Sequence, residues 1–157
     1  MIATKLRRRK ATLFAVIAGV LFLTFILLVF AWIQSSKGDA KQTVLEFYRY
    51  EQEGDFANSW ELFHSAMKDK FNKADYIQDR AHVFMNHFGV ETFTFEIEDS
   101  EKIKSWTMTE TSLPMQNVYR FEVIQTYKGK YGHFDLHQNV FTAKENGKWR
   151  ILWDYHR

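Results

Sequence analysis

The stretch from Ala11 to Ile33 carries no charge and is apolar apart from Thr12, Thr24 and Gly19. As a helix rising about 1.5 Å per residue it would extend roughly 34 Å, enough to cross a hydrocarbon core of about 30 Å with modest tilt. Lys5, Arg7, Arg8, Arg9 and Lys10 crowd its N-terminal side, whereas Gln34, Ser35, Ser36, Lys37, Gly38 and Asp39 follow it. That asymmetry predicts a cytoplasmic basic segment 1–10, a transmembrane helix 11–33, a short tether 34–39 and an extracytoplasmic domain 40–157. A cleaved signal peptide is the rival reading, but its apolar core is typically about 7 to 15 residues long and precedes small residues. Here the run is longer and ends in Phe30, Ala31, Trp32 and Ile33. An uncleaved single-pass anchor is expected, with Trp32 at the outer interface.

The formal charge of +2 and the pI near 8.7 belong to this anchor. Five basic side chains precede Ala11 without an acid among them, leaving 16 basic against 19 acidic residues in the rest of the chain. No basic stripe interleaved with aromatics remains to follow a phosphate backbone, so nucleic acid is not an expected partner. Cysteine is absent. Nothing staples the domain covalently, and an exposed position outside a bacterial cell would offer no thiol to oxidation.

From Ala40 the apolar spacing is helical, with Ala40, Val44, Phe47 and Tyr48 on one face and a stop at Gly54. Asp55 is placed to cap a second helix carrying Phe56, Trp60, Phe63 and Met67. Asn72, with Asp75 three residues on, caps a third helix whose stripe is Ile77, Ala81, Phe84, Met85 and Phe88 and whose stop is Gly89. After Gly89 the period changes to two: Phe93, Phe95 and Ile97 alternate with polar residues. A weaker strand is expected over 103–109, a loop over Leu113–Asn117 around the only proline, Pro114, and a long strand through Tyr119, Phe121, Val123 and Tyr127. A turn at Lys128, Gly129 and Lys130 leads to a strand over 132–143. Asn146-Gly147 then signals a type I′ hairpin into a last strand over 148–155. Helices followed by antiparallel strands define an α+β class, with helices on one face of a curved sheet. The 15 phenylalanines, 7 tyrosines and 5 tryptophans suit a sheet wrapped around a large apolar interior.

This pattern resembles a nuclear transport factor 2-like (cystatin-like) cone. The run Asn146-Gly147-Lys148-Trp149-Arg150-Ile151-Leu152-Trp153-Asp154 is similar to the closing strand of the N-terminal, non-catalytic domain of class B penicillin-binding proteins of the methicillin-resistance type. The segment Tyr50 to Phe56, the Phe88-Gly89-Val90 junction and the long strands meeting near Gly129 agree in kind. In that family a serine transpeptidase follows; here Ser-x-Asn and Lys-Thr-Gly are absent, and the one Ser-x-x-Lys spacing, Ser65 to Lys68, has neither of them to act with. The resemblance therefore implies a membrane-proximal spacer or contact module, with an envelope or cell-wall synthesis protein as partner, rather than penicillin binding or acyl transfer.

The residues themselves leave three readings open. A non-enzymatic interaction domain needs no convergent site and no cofactor. A ligand-binding domain would use the pocket of the cone, for which Tyr48, His64, Tyr76, Trp106 and Asp154 are the candidates. An enzyme would use a His/Asp pair in the same pocket for proton transfer. His133, Asp135 and His137 share one face of a strand, but the two histidines stand about 13 Å apart at Cα, too far for easy chelation of one zinc ion; no metal site is expected. Arg150 and Asp154 share a face of the last strand and are placed to pair. The anchor holds no GxxxG, and the oligomeric state stays open.

Overall fold

Helical spacing gives way to alternation at Phe93, and a computed structural model places the change from helix to strand there. It describes residues 2–82, 92–129 and 132–156, without the side chains of 2–15, 30–35 and 99. The described helices are α1 (Ile2–Glu53), α2 (Phe56–Glu61), α3 (Ser65–Lys68) and α4 (Lys73–His82). The strands are β1 (Phe93–Trp106), β2 (Met115–Gly129), β3 (Gly132–Glu145) and β4 (Lys148–Trp153), paired antiparallel in the order β1-β2-β3-β4. The class is α+β.

The chain divides into two compact units between Gly38 and Asp39. In the first, α1 carries the apolar stretch, of which the side chains of 16–29 are described and exposed. Among the described residues no helix is long and apolar enough to cross a membrane; 16–29 falls short of the roughly 20 apolar residues a span requires. The tether expected over 34–39 is helical, because α1 runs through it.

In the second unit, Ala40, Val44, Phe47 and Tyr48 are all buried, as their spacing requires. Gly54, at φ 74°, ends α1 in the left-handed conformation that glycine adopts at no steric cost. Asp55 caps α2 by accepting from Asn58 N at 3.2 Å. The single second helix expected from Phe56 to Met67 is instead two short ones. At 62–64 the backbone leaves the helix to pair with β4: His64 N donates to Ile151 O at 3.0 Å and Ile151 N to Leu62 O at 2.9 Å. The interruption satisfies backbone groups on the outer side of β4 that would otherwise lie open. Asn72 caps α4 through Asp75 N at 2.9 Å. The expected continuation through Phe84, Met85 and Phe88 to Gly89 lies outside the described residues.

The two strands expected over 93–97 and 103–109 form one strand, β1, whose register against β2 shifts between Ile97 and Ser100. That bulge breaks the alternation and accounts for the weak pattern there. β2 begins at Met115, inside the expected loop, and Asn117 takes a positive φ of 55°. The hairpin at Asn146-Gly147 has φ 51° and 79°, the left-handed pair a type I′ turn demands. The core lies between α1, α2, α4 and the sheet, where Phe63 packs at 5.1 to 5.2 Å on Phe47, Tyr76 and Trp153. Leu152 and Phe141, on the alternate side of their strands, are buried as well, so this end of the sheet is dry on both faces.

Gly147→Ala is expected to lower stability by about 1 kcal/mol through its left-handed conformation alone, since no atom crowds a Cβ there. Urea denaturation of the two chains in the same detergent measures the difference.

Candidate functional site

A carboxylate on the buried stripe of α1 organises the interior. Glu51 follows Val44, Phe47 and Tyr48 on one helical face and is 2% exposed. Its Oε1 accepts from Ser59 Oγ of α2 at 2.5 Å and from Tyr76 Oη of α4 at 2.6 Å. Its Oε2 accepts from Arg80 Nε at 2.6 Å, and Arg80 Nη2 pairs with the same oxygen. These four donor atoms match the roughly four lone-pair sites of an ionised carboxylate. Burial works against the Arg80 charge, but Glu51 and Tyr76 outweigh it and raise the guanidinium pKa above its ordinary value.

Three tyrosines surround this pair. Tyr48 Oη donates to Gln138 Oε1 at 2.8 Å, and Tyr127 Oη donates to the buried Gln125 Oε1 at 2.8 Å. Burial raises the pKa of Tyr48, Tyr76 and Tyr127 well above the phenolic range, and the Glu51 charge adds to it. Each remains a neutral hydrogen-bond donor at physiological pH. With Glu51 saturated and the phenols held protonated, this cluster is built to fix helices in place; none of these groups is poised to take a proton from a substrate.

Of the five candidate pocket residues, only Tyr48 and Tyr76 enter this interior. His64 caps α3: Ala66 N donates to its Nδ1 at 3.1 Å, and Nε2 lies 3.7 Å from Glu145 Oε1. Trp106 stacks on Phe141, with centroids 4.2 Å apart and planes at 13°. Because Phe141 alternates with Val140 and Thr142 along β3, that stack lies on the sheet face away from the aromatic cluster of Phe47, Phe63 and Trp153. Asp154 is exposed and accepts from His156 N at 2.9 Å. It does not pair with Arg150, whose Nη1 donates to Glu61 O at 2.8 Å. Around Tyr48, Tyr76 and the last strand the rings of Phe47, Phe63, Phe71 and Trp153 pack against one another.

Among the described residues no group of three His, Cys, Asp or Glu side chains is placed to hold a metal ion. Asp135 accepts from Thr126 Oγ1 at 2.6 Å, and His137 Nδ1 lies 3.2 Å from Glu122 Oε1. Glu51, Ser59 and Arg80 were not among the residues singled out by sequence. The signal present was a carboxylate seven residues after Val44 on an apolar face, which requires a buried cation or several donors to match it. Neither the protein-family models nor the curated proteins compared with the chain give a match.

Two outcomes are expected. Glu51→Ala, which removes the carboxylate paired with Arg80, should destabilise the domain by about 3–5 kcal/mol, whereas a joint Glu51→Leu and Arg80→Met change should recover much of that loss; urea midpoints of the three chains test both. The second concerns His64, whose pKa burial lowers from 6.5 against the opposing pull of Glu145. The folded state favours the neutral ring, so stability is complete above 6.5 and falls as the pH drops below it. His64→Asn keeps an acceptor at the cap and should flatten that dependence, while His64→Ala should cost about 1 kcal/mol at neutral pH; denaturation at a series of pH values distinguishes them.

Proposed function

We propose that this chain is a single-pass membrane protein whose extracytoplasmic domain has a nuclear transport factor 2-like architecture and acts as a non-enzymatic interaction or spacer module. Its partner is an envelope component, a protein of bacterial cell-wall synthesis. The observation that carries the reading is the closed polar interior. Glu51 is buried and filled by Ser59, Tyr76 and Arg80, so the most chemically capable group in the described core is already spent on holding helices together. A domain with such a core acts through its surface. Support for the anchor comes from the apolar stretch 11–33 behind a basic segment. Support for the architecture comes from helices preceding an antiparallel sheet whose last strand bears Trp149 and Trp153 and is followed by Asp154.

The chain is free of cysteine, so single cysteines report topology without background. Residues such as Thr94 and Lys144, exposed in the domain, are expected to react with a membrane-impermeant maleimide on intact cells once changed to cysteine, whereas a cysteine at Thr4 should react only after permeabilisation. Photocrosslinking from the domain surface should capture an envelope protein. Labelling with the opposite sidedness, or crosslinks that return no envelope protein, would argue against the proposal.

A further inference from the structure

β3 and β4 differ in length, and the difference leaves an edge. β2 pairs β3 without a register shift from Tyr119↔Thr142 to Gly129↔Gly132, while β4 pairs it only from Val140 to Glu145. Along 132–139, therefore, β3 has no strand on its second side among the described residues. An open edge is a template for another strand, and proteins commonly blunt such edges with lysine, proline, a bulge or a covering segment. The outer side of β4 is covered in this way by 62–64. The length of β3 beyond its pairing with β4 reads Gly-His-Phe-Asp-Leu-His-Gln-Asn, with neither lysine nor proline, and all its residues from Gly132 to His137 are exposed.

The order of side chains along this edge is complementary to itself. A two-fold axis perpendicular to the sheet pairs two copies antiparallel and keeps each face continuous, so residues of one face meet residues of the same face. With the axis at Leu136, Leu136 meets Leu136, Asp135 meets His137, Phe134 meets Gln138 and His133 meets Asn139. Moving the axis to Asp135 sets carboxylate against carboxylate, and moving it to His137 sets imidazole against imidazole; both lose the Asp–His pairs, and like charges opposite one another are unfavourable. The Leu136 axis also brings together two copies of a large apolar side chain that is 45% exposed in the monomer, and it pairs all of 133–139, whereas an axis at Phe134 would pair only 132–136 of this stretch. His137 already lies 3.2 Å from Glu122 on β2, so an Asp135 from the other copy would bring a second carboxylate beside its ring.

We infer that the length of β3 beyond β4 is a self-pairing edge through which two copies of this chain join their sheets about Leu136. The interface is short compared with those of permanent dimers, so the association is reversible. It is independent of where the domain resides and of what else it binds.

The cysteine-free chain allows a direct test on the full-length protein in its detergent-solubilised and membrane-bound forms. Cysteines replacing Leu136 would face each other at about 4.5–5.5 Å between Cα atoms, within disulfide reach. Leu136→Cys should therefore form a disulfide-linked dimer under mild oxidation. His133→Cys, whose copies would lie roughly 20 Å apart, should not, whereas His133→Cys combined with Asn139→Cys should. Leu136→Lys, at an exposed position, should abolish the wild-type dimer seen by sedimentation while leaving the urea midpoint unchanged. Equal crosslinking of Leu136→Cys and His133→Cys, a wild-type chain that stays monomeric at all concentrations, or a dimer that survives Leu136→Lys would overturn the inference. So would a Leu136→Cys adduct to a different protein in place of a second copy.

Discussion

The ion pair between Glu51 and Arg80 sets the conditions that the helices of this domain must meet. An ionised carboxylate withdrawn from water costs several kcal/mol unless charge and hydrogen bonds are returned to it. Here they come from two other elements: Ser59 on α2, and Tyr76 and Arg80 on α4. Glu51 itself sits one turn beyond Phe47 and Tyr48 on α1. The apolar packing would tolerate small rotations of these helices; the carboxylate, with donors at 2.5 and 2.6 Å, would not. The pair is thus better understood as a device for one arrangement of helices than as a source of net stability.

The second constraint is backbone hydrogen bonding at β4. The strand is short, its inner neighbour is β3, and its outer side faces the segment between α2 and α3. Helical propensity and apolar spacing favour one continuous helix there. A helix, however, has no backbone groups to offer Ile151, and the two hydrogen bonds at 2.9 and 3.0 Å are made only by an extended segment. His64 is caught at this break. Its ring, which by spacing alone reaches toward the interior, is used instead to cap the four-residue helix that restarts after it. The contrast with β3 is instructive: the outer side of β4 is covered by main chain, whereas along 132–139 β3 has no second strand beside it among the described residues.

Much of the fold was legible in the chain. Ala40, Val44, Phe47 and Tyr48 are buried because a helix has one inward face, Asp55 and Asn72 cap where short polar side chains precede helical stripes, and Asn146-Gly147 turns because both residues accept positive φ. These are local requirements, satisfied within a few residues. The candidate site was far less legible. Trp106 and Asp154 stand with Tyr48 as candidates for the pocket of a cone, but alternation in β3 places the Trp106 stack on the other face of the sheet. Spacing along one strand cannot say which side of a neighbouring strand a side chain will meet once a bulge such as that between Ile97 and Ser100 has intervened.

The sequence by itself determined the class, α+β with an antiparallel sheet, the buried faces of its longer elements and its sharpest turn, because each follows from periodicity or from the conformational range of single residues. It also determined the distribution of charge that motivates a membrane anchor. Only the tertiary structure decided that Glu51 is locked by partners from α2 and α4, that the second helix is broken to clothe β4, and that β3 outruns its neighbour. Those outcomes depend on groups far apart in sequence competing for the same donors, acceptors and edges, and such competition is settled only when the elements are brought together.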